Sequence, residues 1–147
     1  MLVDVRNETD FTVDEPALVA QAQFLMTRLG LQPGCEMSVL LTDADHMSQL
    51  HEDYMGEPGP TDVLSFAMDE LVPGSQEQGI LGDIVICPAF AQDQALKAGH
   101  DLAADLRLLL THGVLHLLGH AHAEPEEHAV MFGLQAQLLT EWEAARA

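Results

Sequence analysis

Between Thr111 and His122 the chain sets four histidines, at 112, 116, 120 and 122, into a leucine-rich run, and a fifth, His128, follows shortly after. On a helix, residues four apart are offset by only ~40° and rise ~6 Å, so His112 and His116 project side by side and can reach one ion. Gly119 comes next. A glycine there can take positive φ, end the helix and turn the chain back. That turn would bring a third imidazole to the same point, and His122 is the best placed to supply it. Three neutral imidazoles with one open position are the donor set of a catalytic zinc, whereas a structural zinc is normally closed by a fourth ligand and usually includes cysteine. The run therefore predicts a helix, a glycine stop and one zinc per chain on His112, His116 and His122. His46, His51, His100 and His128 read as surface histidines, and His120 as equally suited to the core.

The remaining punctuation predicts how that helix is packed. Alternation over Leu2–Asn7 reads as an opening strand, and Asp14-Glu15-Pro16 caps a helix with Leu18, Ala22, Leu25 and Leu29 on one face, ended by Gly30. Met37–Leu41 reads as a second strand. Thr42-Asp43 then caps a short helix to about Tyr54, with Gly56 behind it. Two further strands are expected at Asp62–Ala67 and Leu81–Cys87, separated by a polar segment from Asp69 to Gln78 that is long enough to be mobile. Pro88 opens a helix closing at Gly99, Asp101 caps another to Leu118, and Pro125 starts a last one toward Trp142. The expected fold class is α/β (α+β): a small mixed four-stranded sheet packed with about five helices, forming one domain over 1–147.

Charge narrows the partners. The chain carries 24 Asp plus Glu against 5 Lys plus Arg, a formal charge of −19 over 147 residues. Its cations, Arg6, Arg28, Lys97, Arg107 and Arg146, are scattered, so no basic stripe neutralises phosphates as ordinary nucleic-acid binders do. An RNA substrate would need positive charge from outside the side chains. No apolar run approaches the ~20 residues of a membrane span, and Met1-Leu2-Val3-Asp4 lacks the basic start and apolar core of a signal peptide, so a soluble cytoplasmic protein is expected. Cys35 and Cys87 each sit in a strand-like apolar run and read as buried thiols rather than a disulfide.

The spacing H-x-x-x-H-x-x-G-x-x-H is also that of the metzincin proteases, but the Glu that serves those enzymes as general base is replaced by Gly113. A metal is expected and peptidase chemistry is not. The segment His112-Gly113-Val114-Leu115-His116-Leu117-Leu118-Gly119 ending in His122, together with Pro60-Thr61-Asp62-Val63-Leu64-Ser65-Phe66 and Leu81-Gly82-Asp83-Ile84-Val85-Ile86, resembles the bacterial YbeY family of zinc-dependent endoribonucleases. The resemblance spans essentially the whole chain.

It implies that His112, His116 and His122 hold the zinc, and that the two strand segments floor a cleft beside it, with Ser65 and Phe66 as substrate contacts. It implies single-stranded RNA as substrate, ribosomal RNA within the ribosome or its small subunit, and a role in rRNA maturation and ribosome quality control, with no DNA or membrane partner. Asp83 and His120 are the candidate catalytic groups, with Glu124 a further candidate base. The sequence departs from the family pattern in two places. Ala121 stands where an Asp usually precedes the third histidine, and Met55 stands where an arginine would grip a phosphate. Two other readings remain open: a zinc hydrolase of a peptide-like substrate, and a non-catalytic zinc-binding ribosome-assembly factor.

Overall fold

The computed structural model describes residues 1–121 and 123–146. Four strands, β1 (Leu2–Asn7), β2 (Glu36–Leu41), β3 (Val63–Ala67) and β4 (Ile80–Ile86), form one sheet in the order β1-β2-β4-β3. The first three in that order run parallel, and β3 is antiparallel to β4. Five helices accompany them: α1 (Glu15–Arg28), α2 (Ala44–Met55), α3 (Pro88–Ala98), α4 (Leu102–Leu117) and α5 (Pro125–Arg146). The expected mixed four-stranded sheet with five helices is what forms. None of the helices among the described residues is long and apolar enough to cross a membrane.

The sheet is covered unequally on its two faces. On one, Met37, Val39, Leu41, Ile84 and Ile86 join Leu25 of α1, Leu110 and Val114 of α4, and Met131 and Leu138 of α5 in the main core. On the other, a smaller cluster of Leu64, Val85 and Cys87 packs against Met47 of α2, with Leu50 of α2 and Phe90 of α3 at its edge. Pairing slips between Glu36 and Met37, which lie opposite Ile80 and Gly82. This bulge lets Leu81 and Ile84 both face the main core. Asp83 shares its face of β4 with Val85, on the α2 side, by ordinary alternation. Both cysteines are free and buried, as expected, and burial pushes the Cys87 thiol up from its ordinary value, leaving it a poor nucleophile.

The segment 69–78 differs from a free loop. Leu71 is buried, the Gly74 amide donates to the Gly30 carbonyl at 2.9 Å, and Gln32 Nε2 donates to the Ser75 carbonyl at 3.1 Å. The turn between α1 and β2 therefore braces it, through long-range contacts that its polar composition does not reveal. The last helix also runs past Trp142 to Arg146. Trp142 packs on Phe24 with ring centroids 5.3 Å apart, and Arg28 and Arg107 reach Glu141 and Glu143 at 2.9 and 3.1 Å. These exposed ion pairs are each worth about 0–1 kcal/mol. Their larger effect is to occupy two of the chain's few cations.

Candidate functional site

α4 is the element that carries the histidines, and both of its ends are specified locally. Asp101 Oδ1 accepts from the Ala104 amide at 2.8 Å, which caps the start. At the other end Gly119 has φ 92°, the Gly119 amide donates to the His116 carbonyl, and the His120 amide donates to the Leu115 carbonyl, both at 3.0 Å. This is a Schellman stop, and it reverses the chain where the sequence predicts. A Cβ at Gly119 would meet nothing within 4 Å, so Gly119→Ala should cost only the backbone strain of a left-handed alanine, about 1–2 kcal/mol. Urea unfolding of the two proteins measures it, and an unchanged midpoint would show that the stop tolerates a side chain.

Within the helix, His112 Nε2 and His116 Nε2 lie 3.0 Å apart, with ring centroids 4.6 Å apart and planes at 75°. Two imidazole nitrogens bound at 2.0–2.1 Å to one tetrahedral ion stand about 3.3 Å apart. The pair thus has the convergence that a shared zinc requires. His112 Nδ1 faces Gln135 Oε1 of α5 at 2.7 Å, and Phe132 of the same helix packs against the His112 ring at 5.6 Å. His122, the third expected ligand, lies outside the described residues. Among the described residues no group of three or more His, Cys, Asp or Glu gathers to hold an ion.

Gly113, between the two histidines, faces the sheet. A Cβ there would come within 3.0 Å of Ile84 Cδ1 and Cγ2. Ser65 Oγ donates to the Gly113 carbonyl at 3.1 Å, so Ser65 supports the histidine helix from β3. Its neighbour Phe66 projects to the opposite face, as successive strand residues must. Phe66 and its register partner Asp83 line a cleft of about 510 Å³ between the sheet and α2. Ser38 Oγ donates to Asp83 Oδ1 at 2.5 Å, and Tyr54 meets Phe66 edge-on at 5.2 Å. The sheet therefore lies between Asp83 and the histidine pair, and Ser65 alone of the expected strand residues stands on the histidine side.

His120 lines a shallow hollow of about 280 Å³ with Glu126, Glu127 and Val130, just beyond the Schellman turn. Other histidines have structural partners. His46 Nδ1 lies 2.8 Å from Thr42 Oγ1, His51 Nδ1 lies 2.9 Å from the Gly59 carbonyl, and His100 Nε2 lies 2.9 Å from buried Asp105. His128 is exposed and stacks on Phe132 at 4.2 Å. The places of two residues of interest escaped the sequence reading. Gln135 is one, and its spacing from His128 and Phe132 on α5 marks a common face without naming what that face meets. The other is Arg6, which lines the α2 cleft and makes no ion pair with any described residue, whereas Arg28, Arg107 and Arg146 all do.

Comparison with known proteins adds to this geometry. The family described as "Endoribonuclease YbeY" matches residues 4–143. The chain belongs to the YbeY endoribonuclease family. An "Endoribonuclease YbeY" of Rhodococcus erythropolis is 54% identical over 148 residues, covering 97% of this chain and 82% of that protein. Another, of Thermobifida fusca, is 52% identical over 146 residues and covers 97% of this chain and 94% of its own length. The solution structure of TM1509 from Thermotoga maritima superposes with a TM-score of 0.64 at 21% identity, covering 98% of this chain and 93% of that one, which supports the fold. Of the two departures from the YbeY pattern, Met55 is 51% exposed at the end of α2, beside Tyr54 at 66%. Ala121 follows the Schellman turn directly.

Proposed function

We propose that this chain is a zinc-dependent endoribonuclease that cuts single-stranded RNA, with ribosomal RNA as its substrate in the maturation and quality control of ribosomes. Family membership supports RNA hydrolysis, and the observation that carries the metal is the 3.0 Å convergence of His112 Nε2 and His116 Nε2. His112, His116 and His122 are the residues that would hold zinc. When bound, it supplies Lewis acidity toward a phosphoryl oxygen and a local double positive charge.

The protein's own groups do the rest. Ser65 fixes the Gly113 carbonyl and with it the face of α4 that presents the histidines. Exposed Tyr54 and its partner Phe66 offer stacking surface to an unpaired base, which a duplex keeps within its own stack. Arg6 is the cation available to a phosphate in the same cleft. Asp83, in that cleft and across the sheet from the histidine pair, has Oδ1 engaged by Ser38 and keeps Oδ2 to hold a 2′-hydroxyl of the bound strand rather than to act on the scissile bond. His120, on the turn that follows the histidine helix, is the candidate for proton transfer.

The test is incubation of the zinc-loaded protein with single-stranded RNA, duplex RNA and a casein-derived peptide. Cleavage of the single strand alone is expected, and cleavage of the peptide would overturn the reading. RNA affinity should also weaken little with salt. Each phosphate neutralised on a single strand contributes a slope near −0.7, and the cleft offers one unpaired arginine against a net charge of −19. A steep loss of affinity would mean that cations elsewhere make several phosphate contacts.

A further inference from the structure

A neutral imidazole binds a metal through one nitrogen only if the proton sits on the other, so something must decide where His112 keeps its proton. The 2.7 Å contact between His112 Nδ1 and Gln135 Oε1 decides it. An amide oxygen has lone pairs and no proton, so Nδ1 must be the donor, and Nε2 is left with the lone pair that faces His116. Gln135 is only 6% exposed, which removes water as a competitor for that hydrogen bond. Phe132, nearly one turn earlier on α5, packs its ring against the His112 ring at 55°, limiting rotation of the imidazole about its own bond.

We propose that Gln135 is a positioning residue for the zinc site: from α5 it fixes the Nδ1–H tautomer and the ring orientation of His112. The inference rests on the zinc reading for its purpose but not for its geometry. Outer partners of this kind typically contribute 10–100-fold to metal affinity.

Two variants separate positioning from packing. Gln135→Met keeps a similar length and fills the same space but cannot accept a hydrogen bond, whereas Gln135→Glu still can. In the metal-free protein, long-range ¹H–¹⁵N spectra of the histidine rings should show His112 protonated at Nδ1 in the parent and in Gln135→Glu, and a mixture of tautomers in Gln135→Met. Competition with a chelator should show zinc affinity lowered 10–100-fold in Gln135→Met and restored to within a few-fold of the parent in Gln135→Glu. Thermal unfolding of the apo forms checks that both variants fold. An unchanged tautomer in folded Gln135→Met, or equal loss of zinc in both variants, would reduce Gln135 to packing. If the parent itself bound no zinc, the zinc reading would fall while the metal-free spectra still decided the role of Gln135.

Discussion

His116→Ala is expected to lower zinc affinity by roughly 10²–10³-fold and to abolish RNA cleavage at ordinary zinc concentrations. Apparent zinc binding of about 10–16 kcal/mol shared among some four donors assigns each about 2.5–4 kcal/mol, and each 1.4 kcal/mol is a factor of ten. The 3.0 Å separation of the two Nε2 atoms leaves His112 unable to compensate alone. Elemental analysis after dialysis, paired with a cleavage assay, measures both effects. His46→Ala is the control, since His46 lies at the start of α2 beside Thr42. His122→Ala should behave as His116→Ala does. Full zinc in His116→Ala would remove that residue from the site, and full zinc in His122→Ala would make His120 the next candidate ligand.

The second large effect is expected at Gly113, which stands where the metzincin scaffold has its general-base Glu. Installing the metzincin base by Gly113→Glu should destabilise the protein by about 3 kcal/mol or more and create no peptidase activity. The added Cβ would meet two Ile84 carbons at 3.0 Å, and the carboxylate beyond it would be driven into the main core without a partner. Gly113→Ala isolates the steric part. Alanine favours the helix by about 1 kcal/mol, while overpacking against Ile84 costs typically 1–3 kcal/mol, so a net loss of up to about 2 kcal/mol is expected. Urea unfolding of both variants gives the two values. Parental stability in Gly113→Glu, together with hydrolysis of a casein peptide, would show that the position is open to a general base.

Much of this arrangement could be read from the chain because it is local. The caps at Asp14, Asp43 and Asp101 and the stops at Gly56, Gly99 and Gly119 are each set by a few neighbouring residues, and each element they bound is found in place. The side-by-side setting of His112 and His116 follows from helical spacing alone. What could not be read depends on packing between distant elements. Asp83 points away from the histidines because α4 covers the opposite face of β4, the one carrying Ile84 and Ile86, and no local pattern around Leu81-Gly82-Asp83 shows which face a helix will cover. Gln135 escaped for the same reason, since its partner His112 sits on a different helix. Arg6 is distinguished only because the other three arginines find carboxylates on α5.

The order of the strands has a consequence for synthesis. All four strands precede residue 87, yet the face carrying Ile84 and Ile86 is closed by α4, which ends about 30 residues later in the chain. At 5–20 residues per second, that face waits ~1.5–6 s on the ribosome for its cover. During that interval α1 shields β1, whereas the apolar side of β4 is open to misassociation. A chaperone that binds extended apolar segments would have its longest opportunity there. Residue 113 would then be the first test of docking, because α4 can seat on Ile84 only where it lacks a side chain.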